Sequence, residues 1–586
     1  MPERTVVVRV VTHPVVAASV TAAVLHLLWW WLIANSGGDI AAQDAWAEFA
    51  RSHPGSAYNL AWYGGIHPVS YSFISPYVMA FLGVRTTMMV VGTVSAALLA
   101  LVLIRTRALR QPLWPALYGA VALTGNAVSG RVTFGLGAMF ALAAVAVLLT
   151  PARPAAPLWA PLGRSRAVGV GVMAALATAS SALAGLFLGF VAAALWLTGR
   201  RRESYLLGLP PVAVVASSVW FFPVGGEQPM PAGSMILPVL AGGLGFVLAP
   251  KSWRTVRVTS ALYAGAVVLA WLIPSPIGSN VTRMGLLFGG VLMVALTTSA
   301  APVGRSLPRV VATWPATALL AVAIVASSTW QLSTAAWDVV RTQPASAWVT
   351  DVQPLLDQLE ARDARLGRTE VVPSSSHREA AALAPYVNLA RGWNRQADTE
   401  RNALFYVEGA LTPASYRAWL HRWAVHHVVL PEGDPDVAAR AEADLVDSGL
   451  RYLRPVWSDS NWRVFEVKNP TPLAAAPAEV LSFDEAGVVL TLPVAATIVV
   501  RIPASPWLSV VDAEGNALEQ SATDGPDSEE AYLEGCLGAS SPPDPDAPDA
   551  EVWTVLHAPH AGVYRIAAPY KLPPGTPCPD EDPESS

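Results

Sequence analysis

Residues 67–83 read HPVSYSFISPYVMAFLG, and the counting of that one run sets the topology of everything after it. The run is short, interrupted by Pro76 and closed by Gly83, whereas a helix needs about 20 apolar residues to cross a hydrocarbon core. Eleven other runs are long enough: 14–33, 86–104, 112–128, 132–150, 166–180, 182–198, 204–222, 233–249, 257–273, 284–300 and 308–327. The distribution of Arg and Lys decides between eleven and twelve spans, because short cytoplasmic loops collect positive charge. With eleven spans and a cytoplasmic N-terminus, segments 1–13, 105–110, 151–166, 199–203, 251–257 and 301–309 hold 16 of the 20 basic residues before position 331. A twelfth span at 67–83 turns most of these clusters outward. The run is therefore expected to be a half-helix lying in or re-entering the outer face, and the odd count carries the C-terminal half outside the cell.

Composition agrees with that division. The chain has 586 residues, 53% hydrophobic and 14% charged, with a mean hydropathy of +0.41, too apolar for a soluble protein. Residues 1–330 carry 20 Lys and Arg against 6 Asp and Glu, while residues 331–586 carry 18 against 37. The fold class expected is a polytopic α-helical membrane protein of about eleven transmembrane helices plus an outer-face half-helix, followed by an extracytoplasmic α/β domain and a β-sandwich. The boundaries are 1–330 for the membrane part, 331–468 for the α/β domain and 469–586 for the sandwich with a disordered acidic tail. Trp29, Trp30 and Trp31 suit an aromatic belt at the outer end of the first span. Three Lys against 35 Arg points to a GC-rich bacterial genome, hence to a bacterial plasma membrane. No nucleic-acid partner is expected.

In the acidic half, TEVVPSS (369–375), HHVVLPEG (426–433), RYLRPVW (451–457) and NWRVFEV (461–467) read as strands. HREAAALAPYV (377–387) and DPDVAARAEADLVDSG (434–449) read as helices. After the Pro/Ala stretch 469–479, taken as a linker, GVVLTLP, ATIVVRIP, WLSVVDAEG, EVWTVLHAP and GVYRIAAP recur between turn signals, as in a sandwich. Segments 540–551 and 577–586 are expected to be disordered. Cys536 and Cys578 are the two cysteines, and an even number outside the cell favours a disulfide between them over two free thiols.

No expected span has Asp, Glu, Lys or Arg in its middle, which weakens an ion-coupled transport reading. Polarity gathers at the outer face instead. The loop NSGGDIAAQDAWAEFARSHPGSAYNLAWYGGIH (35–67) holds Asp39, Asp44 and Glu48, three of the six acidic residues before position 331. Arg51, Arg85, Arg131 and Arg283 are the four basic residues that break the charge rule. An anionic partner at the outer surface, such as a lipid-linked phosphate, gives them a shared reason, since guanidinium binds phosphate oxygens bidentately; lipid headgroups or carboxylate pairing give another. Asp39 opens the amphipathic stretch IAAQDAWAEFARSH, where the plain role is a helix N-cap. Asp44 lies about 140° further round that helix, so the two carboxylates would border a pocket from different directions. His53 and His67 follow without metal-ligand spacing, and no metal is expected.

An outer loop opening with an acidic residue, an interfacial helix, His67-Pro68 before a half-helix, many spans and an extracytoplasmic C-terminal domain resemble the GT-C superfamily of integral membrane glycosyltransferases. That superfamily includes protein O-mannosyltransferases, lipid A aminoarabinose transferases and mycobacterial arabinofuranosyltransferases. The resemblance covers roughly residues 1–330 and is architectural. It implies a sugar donor carried on polyprenyl phosphate, no other cofactor, and a cell-envelope glycan, lipid or protein as acceptor. It also implies an inverting, metal-independent transfer with an acidic residue of the first outer loop as general base. The matching residue is Asp39, with Asp44 second; Arg131 and Arg283 would stabilise the leaving phosphate, with His67 and Asn280 as further phosphate contacts. The paired acidic dipeptide familiar in the superfamily is absent here, because Asp39 stands between Gly38 and Ile40. In the α/β domain, Arg391, Trp393, Arg395 and Gln396 are candidates to line an acceptor surface, beside the plainer reading of a packing helix. Two other readings of the whole chain stand beside the transferase: a transporter or flippase of major-facilitator type, and a non-catalytic envelope-assembly protein.

Overall fold

The computed structural model describes residues 12–34, 39–150, 162–223, 225–303, 316–340, 345–518, 534–541 and 551–578. The tail after 578, most of segment 540–551 and the basic segments 1–11, 151–161 and 304–315 lie outside the described residues. The chain forms two compact units, one of 1–43 with 71–344 and one of 44–70 with 345–586. The compositional break at 331 falls inside the helix Ala316–Val340.

The first unit is helical, and each of the eleven apolar runs falls largely on a helix, the last through its described residues 316–327. Six of these, Pro14–Leu32, Val84–Arg105, Arg201–Phe221, Arg254–Leu272, Gly278–Thr297 and Ala316–Val340, are long and apolar enough to cross a membrane. The other five are 16 or 17 residues long. At 1.5 Å per residue they extend about 24–26 Å, short of a hydrocarbon core of roughly 30 Å. By length and composition alone, six helices among the described residues qualify as membrane spans.

Burial follows side-chain size. Where Pro14–Leu32, Val84–Arg105 and Leu113–Val128 meet, the contact is made by Ala18, Ala22, Ala96, Ala100, Ala116 and Ala120, all fully buried. Such small residues let helix backbones approach closely. At Gly119 a Cβ would come within 2.3 Å of Leu99 Cδ2. Large apolar side chains point the other way: Trp31, Val212, Trp220, Val325 and Leu332 are all exposed.

The run 67–83 folds as two pieces, Pro68–Tyr71 and Ser75–Leu82. The second rises only about 12 Å, so it does not span. Ser72 Oγ accepts from the Ile74 and Ser75 N–H groups and donates to the Ala179 carbonyl at 3.1 Å. The Phe73 N–H reaches the same carbonyl, and Ser75 Oγ donates to Ser180. These bonds hold the short helix to the end of Arg164–Ser180.

The helix Gly278–Thr297 is irregular where it carries Arg283. It opens with a 3-10 turn, Gly278–Val281, and relaxes to π geometry over Gly285–Gly289. The Tyr263 hydroxyl accepts the Gly285 N–H at 2.9 Å and donates to the Val281 carbonyl at 3.2 Å. A side chain inserted into the backbone ladder is an ordinary cause of such a local change.

The second unit contains a five-stranded sheet in the order β2-β1-β3-β5-β4. Its strands are β1 Arg368–Val371, β2 Asn388–Leu389, β3 Val425–Pro431, β4 Leu453–Ser458 and β5 Trp462–Val467. β2, β1 and β3 are parallel, while β5 and β4 pair antiparallel. Val425, Val428 and Leu430 of β3 pack with Tyr416, Leu420, Trp423 and Val446 in the core. The helix expected over 377–387 is reduced to Glu379–Ala382, and the one expected over 434–449 to Arg440–Asp447 after a 3-10 turn.

Two further sheets follow. One is β10-β11-β8 (β8 Ala496–Pro503, β10 Cys536–Ala539, β11 Trp553–Ala558); the other is β6-β7-β12-β9 (β6 Glu479–Phe483, β7 Gly487–Leu492, β9 Ser509–Val511, β12 Gly562–Ala567). Burial alternates along β7 and β11 with the period of two expected of half-buried strands. The stretch 469–479 is no loose linker: Leu473 and Ala474 are buried, the Ala475 N–H bonds to Val499, and the Arg501 N–H to Leu473. Cys536 and Cys578 are joined by a disulfide with Cα atoms 4.9 Å apart, 42 residues apart in sequence.

A loop of that length gives the bridge roughly 4 kcal/mol of stabilisation on the chain-entropy account. Cys536→Ser is expected to lower the urea midpoint of the β-rich unit clearly, and reductant is expected to do the same to the wild type and nothing further to the variant. An unchanged midpoint contradicts the bridge as a stabilising element.

Candidate functional site

In the first unit the polar side chains converge around the start of the helix Ile40–Ser52. Asp39 precedes it: its N–H donates to the Ser129 carbonyl at 3.2 Å and its own carbonyl accepts the Gln43 N–H at 3.2 Å. That is the N-cap position by backbone geometry. The carboxylate, however, bonds not a helix N–H but Arg283, whose Nη2 lies 3.1 Å from Asp39 Oδ2. Both side chains are about one-fifth exposed. Arg283 also lies over the Phe134 ring at 5.7 Å.

Arg131 enters from the turn that binds Asp39. Gly130 has φ +71°, the left-handed geometry that glycine tolerates. The Arg131 N–H donates to the Asn126 carbonyl, and Asn126 Nδ2 donates back to the Arg131 carbonyl at 3.2 Å. Its Nη2 is 4.0 Å from Asp338 Oδ2, near the end of Ala316–Val340. Burial, then the like charge of Arg283, pushes the Arg131 guanidinium below its usual value, while Asp39 and Asp338 pull it back. Arg131 and Arg283 thus repel one another, while each faces a carboxylate, Asp338 and Asp39 respectively.

Neutral donors complete the cluster. Gln43 Nε2 donates to the Tyr71 hydroxyl, and its Oε1 accepts the Thr133 hydroxyl at 2.7 Å. Tyr71 is held above its normal range by burial, then by the Asp39 charge, so it stays a neutral donor. Asn280 lies one turn before Arg283, in Gly278–Val281, with its N–H on the Ile277 carbonyl. Among the described residues no three His, Cys, Asp or Glu side chains converge as metal ligands would.

The structure therefore brings Asp39, Arg131 and Arg283 together, and gives other residues of the same expectation different surroundings. Asp44 belongs to the second unit, where Arg378 Nη1 lies 3.5 Å from it. His67 also belongs there. It is buried, with Nδ1 2.8 Å from the Ala57 carbonyl, Nε2 3.4 Å from Ser505 Oγ and the ring against Tyr58. Phosphate coordination at His67 is corrected on that ground: its ring nitrogens are already occupied by protein groups. Arg51 pairs with Glu48 one turn away. Asp338 escaped notice because its position past 330 assigned it to the acidic half, although it closes a helix of the first unit.

The stretch 57–67, expected to be part of an outer loop, is a buried strap of the second unit. Ala57, Tyr58, Asn59, Leu60, Ala61, Trp62 and Tyr63 are all buried with no helix or strand of their own, so their backbone groups need partners. Ala57 N–H bonds to Ala568, Leu60 N–H to Glu485, and the Ala61 carbonyl accepts from Leu389 of β2. Arg401 donates to the Tyr63 and Gly65 carbonyls. Gly65 has φ +145°, and a Cβ there would lie 2.0 Å from the Tyr58 ring.

Of the acceptor candidates, Arg391 is withdrawn by burial. It lies 2.7 Å from both Asp398 and Glu442 and 3.8 Å from Glu370, under the Phe405 ring. Burial and then the Glu442 charge push the Glu370 carboxyl well up, and one guanidinium faces three carboxyls. Trp393, Arg395 and Gln396 are half-buried. Arg395 pairs with Asp436 at 2.9 Å, and Gln396 N–H bonds to the Asn394 side chain that caps the helix Arg395–Arg401.

Residues 475–584 match a family described as a domain of unknown function (DUF8823), which covers β6 to β12 and none of the helical unit. No curated protein matches the chain.

Burial pushes the His67 imidazole down to about 4, against an ordinary value of 6.5. The folded chain thus holds His67 neutral where the unfolded chain takes up a proton. Stability from this group is complete above pH 6.5 and is lost as pH falls toward 4, at up to about 1.4 kcal/mol per pH unit. His427, pushed down to about 4 chiefly by burial, acts in the same window. Pulse proteolysis in urea between pH 4 and 7 is expected to show a weaker acid destabilisation in His67→Gln than in the wild type. An identical acid limb contradicts the buried neutral assignment.

Proposed function

We propose that this chain is an integral membrane glycosyltransferase of the GT-C kind, moving a sugar from a polyprenyl-phosphate donor to a cell-envelope acceptor on the outer face of a bacterial plasma membrane. The observation that carries the reading is the meeting of Asp39 with Arg283 and Arg131. Membrane placement is supported by six long apolar helices with exposed Trp31, Trp220, Val212 and Val325, since soluble monomers rarely leave such contiguous apolar surface uncovered. With all eleven apolar runs counted as crossings, the segregation of 16 of the 20 basic residues before position 331 to alternate loops supports a cytoplasmic N-terminus and an extracytoplasmic second unit.

The chemistry follows from the residues. An acceptor hydroxyl attacks the anomeric carbon from the face opposite the phosphate. The bond from that carbon to the phosphate oxygen breaks, and its electron pair leaves with polyprenyl phosphate. Asp39 takes the hydroxyl proton, a role worth about 10²–10⁴ in rate. Arg131 and Arg283 hold the phosphate as charge develops on it. Arg283 Nη2 engages Asp39 Oδ2; a bound phosphate gives that guanidinium a second anion, and the other carboxylate oxygen of Asp39 accepts the hydroxyl proton. Tyr71 and Thr133, joined through Gln43, supply neutral hydrogen bonds beside it.

Asp39→Asn keeps the shape and removes the base. A strain carrying only this variant is expected to lose the envelope sugar that the wild type adds, with transfer in isolated membranes down at least 100-fold and with unchanged amounts of monodisperse protein. Full transfer by a well-folded Asp39→Asn protein would show the ion pair to be structural and remove the enzyme reading.

A further inference from the structure

The helical unit has a second charged region, at the ends of its helices remote from Arg131 and Arg283. Segments 105–110, 162–166, 199–203 and 250–257 hold eleven Arg and Lys against one acid, Glu203, so this end carries a large positive excess. Hydrogen bonds gather the segments together. Arg105 donates to the Ala146 carbonyl near the end of Val132–Leu148, Arg166 to the Thr150 carbonyl, and Arg202 to the Leu162 carbonyl at 3.0 Å. The Arg110 N–H donates to the Thr298 carbonyl, just past the end of Gly278–Thr297, and Thr198 Oγ1 lies 3.5 Å from Thr255 Oγ1. Because Arg131 opens Val132–Leu148, about 20 Å of helix separates this end from the proposed transfer site.

One part of this end is more than a scatter of cations. The short helix Ala182–Leu197 packs against both Arg201–Phe221 and Arg254–Leu272, and the contact of Thr198 with Thr255 puts its last turn where those two helices begin. Trp196 and Leu197 are exposed there, with the Arg201 guanidinium over the Trp196 ring at 5.7 Å. Tyr205, Leu209 and Val212 follow Arg201 at helical spacing and are also exposed, so one face of that helix reads cation, aromatic, aliphatic along its length. Arg201, Arg202, Lys251 and Arg254 are exposed, and none of the four is paired with a carboxylate among the described residues.

The charge rule accounts for the sign of this end and not for exposed aromatic and aliphatic side chains set directly below particular cations. A free anion would use the cations alone. A ligand with a phosphate and an apolar body uses the whole ladder: guanidinium binds phosphate oxygens, Trp and Tyr rings sit at headgroup level, and aliphatic side chains meet acyl chains. Basic surfaces between spanning helices take acidic lipid headgroups on the same grounds. We infer that the groove over Trp196 and Leu197, between the starts of Arg201–Phe221 and Arg254–Leu272, holds an anionic phospholipid, with its phosphate on Arg201 and Arg254 and its chains along Tyr205 and Leu209. The inference rests on the membrane placement proposed above and is independent of sugar transfer.

The test is native mass spectrometry of the full chain in detergent, titrated with phosphatidylglycerol and with phosphatidylcholine of equal chain length. Two double variants accompany the wild type. Arg201→Gln, Arg254→Gln removes the groove cations, and Arg107→Gln, Arg110→Gln removes exposed cations of the same end from the loop that meets Thr298. The wild type is expected to hold phosphatidylglycerol about tenfold tighter than phosphatidylcholine, and the groove variant to lose about that factor, the value of one charge-assisted hydrogen bond. The loop variant is expected to bind as the wild type does. Equal binding of the two lipids by the wild type overturns the inference, as does unchanged phosphatidylglycerol binding by a monodisperse groove variant. Equal losses in both variants would show diffuse charge in place of a groove and overturn it too. Displacement by millimolar glycerol phosphate overturns the lipid as occupant. Because the readout is lipid binding at the far end of the unit, a negative result leaves sugar transfer at Asp39 standing, and a failure of Asp39→Asn to affect transfer leaves this groove standing.

Discussion

Charges buried in an apolar helical unit need partners. Among its described residues the first unit has four carboxylates, Asp39, Glu203, Glu227 and Asp338, and two of them face the same pair of arginines. An unpartnered ion in such surroundings costs several kcal/mol, and a paired one still loses much of its hydration. A hydrophobic pair of equal size would often stabilise as well or better, so an arrangement that retains Asp39, Arg283, Arg131 and Asp338 together asks for a use beyond stability. The local folding serves it. Gly130 turns the chain to present Arg131, the π segment after Arg283 follows from the Tyr263 hydroxyl, and the Ser129 carbonyl fixes Asp39 by its backbone.

The second unit meets the same constraint differently. Its strap 57–67 is buried without regular structure, and its backbone bonds reach β2, the Glu485 and Ala568 carbonyls and Arg401. Arg391 anchors the α/β core against three carboxyls, with Tyr416 donating to Glu442 at 2.9 Å and Asn402 to Asp398 at 2.9 Å. Removing one member of such a network leaves an uncompensated charge, typically at 3–5 kcal/mol. These residues carry structure, which is why a cluster of Arg, Trp and Gln read as an exposed surface divides, in the fold, into a buried hub and a polar rim.

Much of this was legible from the chain and some was not, for physical reasons. Apolar runs located eleven helices among the described residues of the first unit, because hydrophobicity over 16 or more residues leaves little choice of structure, and alternation located β7, β8, β11 and β12. The short strands β6 and β10 carry too few residues for a periodic signal. Arg131 and Arg283 stand out by breaking a charge rule, a signal independent of sequence distance, and Asp39 by opening the acidic outer loop. His67 misled because a histidine beside a proline in a presumed loop reads as available, and only the fold reveals that the loop is inside. Asp338 was missed because it lies just beyond a compositional boundary that the helix ignores.

The central claim is that Arg131 and Arg283 form an anion site beside Asp39 for a lipid phosphate. The direct measurement is native mass spectrometry of the detergent-solubilised full chain with a short polyprenyl phosphate, comparing the wild type with the double variant Arg131→Gln, Arg283→Gln. Stoichiometric binding by the wild type, lost in the double variant while the corresponding polyprenol binds neither, is the result expected. Equal binding of the phosphate by both proteins would contradict the account.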